Sequence, residues 1–132
     1  MEISALAKKL RLQNLERGVI LNSPDGFLDS LGEVPGGLSS RIEKSVQYNF
    51  AHLFIKNKAE MNQFVDLVLE AIAYDAIFWI SYPKGSSGVE TDVNRDTLWA
   101  DLLGKGIRPV TQVSIDNVWS TIRFRPADAV GK

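Results

Sequence analysis

The sequence predicts a single α/β domain over residues 1–132, with a mostly parallel sheet between two helical layers and an antiparallel hairpin at its C-terminal end. Three observations carry this prediction. Short apolar runs at 17–22, 46–55 and 75–82 alternate with amphipathic stretches, the order that gives parallel strands joined by right-handed helical crossovers. The run from Asp75 to Tyr82 is apolar almost throughout, as suits a central strand covered on both faces. Two alternating runs then flank Asp116-Asn117, the pattern of a hairpin with a two-residue turn.

Taken in order, Ile3, Leu6, Ala7 and Leu10 recur at helical spacing within residues 2–13, with Lys8, Lys9 and Arg11 on the other side. Arg17 to Asn22 reads as a first, buried strand that stops at the turn signal Ser23-Pro24-Asp25-Gly26. Phe27, Leu28 and Leu31 suggest a short helix closed by Gly32, and the Gly, Pro and Ser of residues 32–40 suggest a mobile loop. Val46 to Ile55 forms the next strand. Asn57, with Glu60 three residues on, caps a helix whose apolar face is Met61, Phe64, Val65, Val68 and Ile72. After the strand at 75–82, Pro83 to Glu90 is a polar loop, and Thr91 or Asp92 is placed to cap a helix with Trp99, Leu102 and Leu103 on its apolar side. Gly104 ends it.

At 132 residues, 45% hydrophobic and 23% charged, the chain buries roughly two-thirds of its unfolded surface without help from a disulfide or a metal. A net charge of −1 gives no basic footprint, which argues against nucleic acid as a partner. The absence of cysteine excludes a disulfide framework, a thiolate metal site and a cysteine nucleophile, and fits a reducing compartment. Met1 to Ser4 lead into no apolar core of signal-peptide length, and the longest apolar run, Ala76 to Ile80, is far short of the ~20 residues of a membrane-spanning helix. The expectation is a cytoplasmic protein without a membrane segment.

The stretch Trp79-Ile-Ser-Tyr-Pro-Lys-Gly-Ser-Ser-Gly-Val-Glu-Thr-Asp-Val-Asn-Arg-Asp-Thr-Leu-Trp99, with Arg108-Pro-Val and Trp119-Ser-Thr-Ile-Arg-Phe after it, resembles a bacterial family of small proteins catalogued as a domain of unknown function. The likeness covers residues 75–126 and, more weakly, Leu21-Asn22-Ser23-Pro24; it implies a small cytoplasmic α/β protein and brings no catalytic residue. The terminal hairpin is also similar to the end of the class I methyltransferase fold, which implies a Rossmann-like three-layer sandwich. That resemblance requires a Gly-rich turn after the first strand and an acidic residue on the second to hold ribose hydroxyls. The turn here is Asn22-Ser23-Pro24-Asp25-Gly26, with one glycine and a proline that lacks the backbone donor. Glu43 reads either as the ribose carboxylate or as a solvated strand-edge residue. This degenerate cofactor loop disfavours adenosylmethionine as a cofactor.

Ligands of open α/β sheets collect at the carboxyl ends of the strands, which points to Lys84, Gly85, Ser86, Ser87 and Gly88. Glycine backbone freedom, two hydroxyls and a mobile cation suit a phosphate or carboxylate, while a flexible surface loop explains the same residues. Thr91, Asp92 and Arg95 sit where a helix begins, and read either as caps and an i,i+3 pair or as further ligands. His52, the lone histidine, reads as a hydrogen-bonded strand residue, since no G-x-S-x-G elbow supplies a serine partner. No cluster has metal-ligand spacing. Trp119 reads as core, interface or ligand platform, and Arg123 and Arg125, which share its alternation, line either an anion site or a solvated face. The sequence therefore favours a non-catalytic binding or regulatory module for a small anionic ligand or a protein partner. The alternatives are an enzyme acting on an anionic substrate, such as a divergent methyltransferase, and an interaction protein that pairs through the hairpin; the sequence leaves the oligomeric state open.

Overall fold

A computed structural model describes residues 4–130. Ser4 accepts the Ala7 N–H at 3.1 Å and caps α1 (Ala5–Lys9); Ile3 lies outside the described residues. The helix expected to reach residue 13 stops early because Arg11 adopts a left-handed backbone, φ 66°, before a 3-10 turn at Leu12–Asn14. Strand β1 (Arg17–Leu21) follows, and Asn22 leaves it with φ 59°. Phe27 and Leu31 lie in turns that end in a 3-10 segment at Asp29–Leu31, in place of an α-helix.

The segment expected to be a mobile loop holds a short strand, β2 (Gly37–Ser39), paired in parallel with β1. Glycine makes the approach possible. A Cβ on Gly36 would meet the backbone of Leu15 and lie 2.7 Å from the Glu16 carbonyl oxygen, with no flexible side chain to yield. Gly36→Ala is therefore expected to detach β2 from the sheet and lower stability by about 1–3 kcal/mol; urea unfolding checks it, and an unchanged midpoint would contradict the close approach.

Strand β3 (Tyr48–Phe54) leads through Asn57, which accepts the Glu60 N–H at 2.8 Å, into α2 (Lys58–Ala71). Strand β4 (Ile72–Pro83) begins without a loop, and its register against β3 slips between Tyr48↔Ile72 and Phe50↔Ile77. Asp75 sits in this irregularity with φ 57°, held by two hydrogen bonds from Arg125, Nε to Oδ1 at 2.9 Å and Nη2 to Oδ2 at 2.7 Å. Helix α3 (Arg95–Leu102) is capped by Asn94 in a reciprocal box with Thr97, which corrects the expectation of Thr91 or Asp92 as cap. Its inward residues are Leu98 and Leu102, four apart. Trp99 and Leu103, about 100° further round, are turned outward, 51% and 48% exposed, against the expected apolar side. Strands β5 (Ile107–Ser114) and β6 (Trp119–Pro126) form the expected antiparallel hairpin.

The six strands run in the order β2-β1-β3-β4-β6-β5. The first four are parallel, and β6 runs against both β4 and β5. One face is covered by α2 and α3, whose Met61, Val65, Val68, Leu98 and Leu102 pack with Ala51, Leu53, Phe78, Ile80 and Ile122 of the sheet. The other is covered by residues 7–31, with Leu10, Leu12, Phe27 and Leu31 against Ile20, Phe50, Phe54 and Trp79. The Trp79 indole N–H reaches across and donates to the Leu10 carbonyl at 2.9 Å. The result is a three-layer α/β sandwich. The outermost strands are modest: β2 has three residues, and β5 carries Pro109 and a register shift between Pro109 and Thr111.

Candidate functional site

Parallel strands deliver their carboxyl ends to one edge, so the residues after β1, β3 and β4 and the first residue of β6 meet there. On the face under residues 7–31, alternation places His52 and Phe54 of β3, Ser81 of β4, and Trp119 of β6 side by side. Phe27 folds down on them from the β1 turn: its ring stands edge-on to His52 at 5.2 Å and to Phe54 at 4.8 Å, while Trp119 stands edge-on to Phe54 at 5.1 Å. His52 stacks on Phe54 at 4.4 Å, is 1% exposed, and shares a 2.5 Å hydrogen bond between Nε2 and Ser81 Oγ. Burial holds its imidazole down to about 3, because nothing nearby repays the desolvation of a charged ring. His52 Nδ1 and Thr121 Oγ1 are buried without a partner. The neutral imidazole is thus enclosed between Phe27, Phe54 and Ser81.

The residues singled out from the sequence lie along the same edge but do not converge. Lys84 extends its Nζ to Ser114 Oγ at 2.6 Å, and its backbone N–H donates to the Val118 carbonyl at 2.7 Å. Gly85 to Ser87 form a 3-10 turn ended by Gly88 at φ 80°. Ser87 Oγ accepts the Val89 N–H at 3.1 Å, and Ser86 is exposed. Asp92 turns to another helix: its Oδ1 accepts the Lys58 N–H at 2.8 Å, capping α2 from 34 residues away. Thr91 closes a local turn by accepting the Val93 N–H at 3.1 Å. Arg95 lies 3.9 Å from Asp96, both exposed, and the i,i+3 pair of Asp92 with Arg95, one of the two readings of these residues, does not form. Glu43, weighed as a ribose ligand, sits near the amino end of β3, where its N–H donates to the Tyr48 hydroxyl at 3.0 Å. The last residue of β2 is Ser39, whose Oγ donates to the Arg41 carbonyl at 2.7 Å; the three residues after it, Ser40, Arg41 and Ile42, carry no carboxylate.

The chain is similar in fold to solved structures, two N-methyltransferases among them. It superposes on the N-methyltransferase NodS from Bradyrhizobium japonicum WM9 with a TM-score of 0.62 and 11% identity, over 92% of this chain and 92% of that one. The glycopeptide N-methyltransferase MtfA gives a TM-score of 0.60 and 8% identity, over 96% of this chain and 97% of that one. The likeness is one of fold. No protein-family model and no curated protein matches the chain. The sheet and its terminal hairpin are thus of the methyltransferase-like Rossmann type, as the hairpin resemblance implied.

Two hollows lie away from the Lys84 loop. One, of about 400 Å³, opens between α3 and β5 beside Arg95, Trp99 and Val110. The other, of about 530 Å³, lies beyond α1 where Asn49 and Phe50 begin β3, and it is rimmed by Lys8, Lys9 and Arg11. Sequence reasoning assigned those three cations to the solvated side of a helix; the signal for more was three positive charges within four residues and no acid among them. Among the described residues, no helix is long and apolar enough to cross a membrane, and no group of three or more His, Cys, Asp or Glu comes together.

Proposed function

We propose that this protein is a non-catalytic binding module built on a methyltransferase-type sheet. The observation that carries this reading is the ring of Phe27, 4% exposed, folded onto His52 and Phe54. It occupies the ends of β1 and β3, where an open α/β sheet otherwise takes its ligand. Two further features agree with it: the β1 turn has a single glycine, and the one imidazole is shut away from solvent.

Titration calorimetry and thermal unfolding with adenosylmethionine test this proposal. The expected result is no binding heat and no shift in midpoint. A ligand held at about a hundred times its dissociation constant raises stability by about 2.7 kcal/mol, so a clear rise would overturn the proposal. It would favour the divergent methyltransferase instead, the reading to which the fold of NodS and MtfA lends support.

A further inference from the structure

The hollow beyond α1 lies toward the amino ends of β3 and β4, where Phe50 and Ile77 form its apolar floor. Its cations are Lys8, Lys9 and Arg11, and no Asp or Glu lines it, a local reversal in a chain whose net charge is −1. Among the described residues, none of the three has an ion pair or a side-chain hydrogen bond. Their charges remain available to a ligand.

Two independent features mark the cluster as more than a solvated helix end. Arg11 occupies the position after the α1 C-cap with φ 66°, where glycine is the default and any other residue is strained. The chain thus holds a guanidinium, in place of the easier residue, at the rim of the hollow. Behind it, on β6, Arg123 has a buried Nε without a partner. Burial, then the charges of Arg11 and Arg125, lower its proton affinity. The carboxylate that acts on it, Asp75, is already held by Arg125 through two hydrogen bonds. The field over the hollow is therefore positive and poorly compensated.

Three carboxamides complete the lining, those of Gln13, Asn14 and Asn49. Asn49 Oδ1 accepts the Arg17 N–H at 3.0 Å, which leaves its NH₂ free to donate. Carboxamides offer both donors and acceptors, so they suit a ligand body with a mixed hydrogen-bonding edge. A volume of about 530 Å³ is within the usual range for a small-molecule site.

We propose that this hollow binds a small phosphate-bearing molecule whose body carries both donors and acceptors, the class to which mononucleotides belong. The cations take the phosphate, Arg11 with its planar fork of donors, and the carboxamides take the body. The inference gives the binding reading above its ligand and its place in the fold.

The probes are adenosine monophosphate, adenosine, inorganic phosphate and a short single-stranded oligonucleotide, each followed by calorimetry and by thermal shift. Adenosine monophosphate is expected to bind and stabilise, phosphate to compete with it weakly, and adenosine to give no signal. Arg11→Gly keeps the left-handed backbone without strain, so it is expected to fold with unchanged or higher stability and to bind adenosine monophosphate about tenfold more weakly or worse. Absence of stabilisation by both adenosine monophosphate and phosphate overturns the proposal. So does undiminished binding by a folded Arg11→Gly protein, or preference for the oligonucleotide at the same salt, which would indicate a backbone-tracking surface. Failure to bind either adenosine monophosphate or adenosylmethionine removes this site alone, whereas adenosylmethionine binding removes the non-catalytic reading whatever happens here.

Discussion

Trp79→Ala is expected to cost about 3–5 kcal/mol, the largest effect of any single truncation considered. Trp79 is fully buried on β4, and its indole N–H bonds the Leu10 carbonyl 69 residues away. Removing it leaves a large void under residues 7–31 and an orphaned carbonyl at the end of α1. Since a domain of this size is held by only about 5–15 kcal/mol, the variant should lose a large share of its stability. Urea unfolding measures the effect. Trp79→Phe separates its two parts: it retains most of the packing and forfeits the hydrogen bond, so a cost of about 1 kcal/mol plus a smaller packing loss is expected. A Trp79→Ala protein within about 1 kcal/mol of the parent would mean that the layer over this face is not anchored there.

Acidification is expected to weaken the fold through His52 well before the carboxylates titrate. The folded imidazole is held down to about 3 by burial, against 6.5 when unperturbed. Between those values the unfolded chain binds one proton more than the folded one, so stability falls as pH falls. The slope approaches about 1.4 kcal/mol per pH unit, which amounts to about 2 kcal/mol between pH 6.5 and about pH 5. Asp75 acts in the opposite sense of charge: the Arg125 hydrogen bond lowers its pKa from 3.8, so its contribution is present above that value and is lost only in stronger acid. The interval from about pH 6.5 to about pH 4 therefore isolates the histidine. Unfolding free energies across that interval should slope in the parent protein and flatten in His52→Gln. Equal slopes in both proteins would assign the titration elsewhere.

Strands β1, β3 and β4 and the terminal hairpin were legible because each is a run of apolar or alternating residues long enough to show its period. Helix α2 was legible to its cap, since Asn57, Glu60 and the apolar face from Met61 to Val68 agree, whereas Ile72, expected on that face, begins β4. Gly37–Ser39 was not, because three residues have no period and the pairing depends on how closely Gly36 passes Leu15. The start of α3 is set by Asn94 and Thr97, which spell a capping pair, and not by Asp92, whose partner, the Lys58 N–H, is 34 residues distant and has no local sequence signal. For the candidate site, the carboxyl-edge position of Lys84 could be read from strand order, whereas its hydrogen bond to Ser114 could not. The basic hollow beyond α1 was invisible because it exists only where a helix end is laid against β3 and β4.

The sheet's outermost strands bear on how copies of this chain behave when crowded. A strand with unpaired N–H and C=O groups is a template on which a second backbone adds, and long flat borders invite fibrous growth. Here one border spans three residues, and the other is interrupted by Pro109, which has no N–H to offer, and by the slip before Thr111. Neither presents an even ladder to a neighbour. Lateral extension from one molecule to the next is discouraged at both ends.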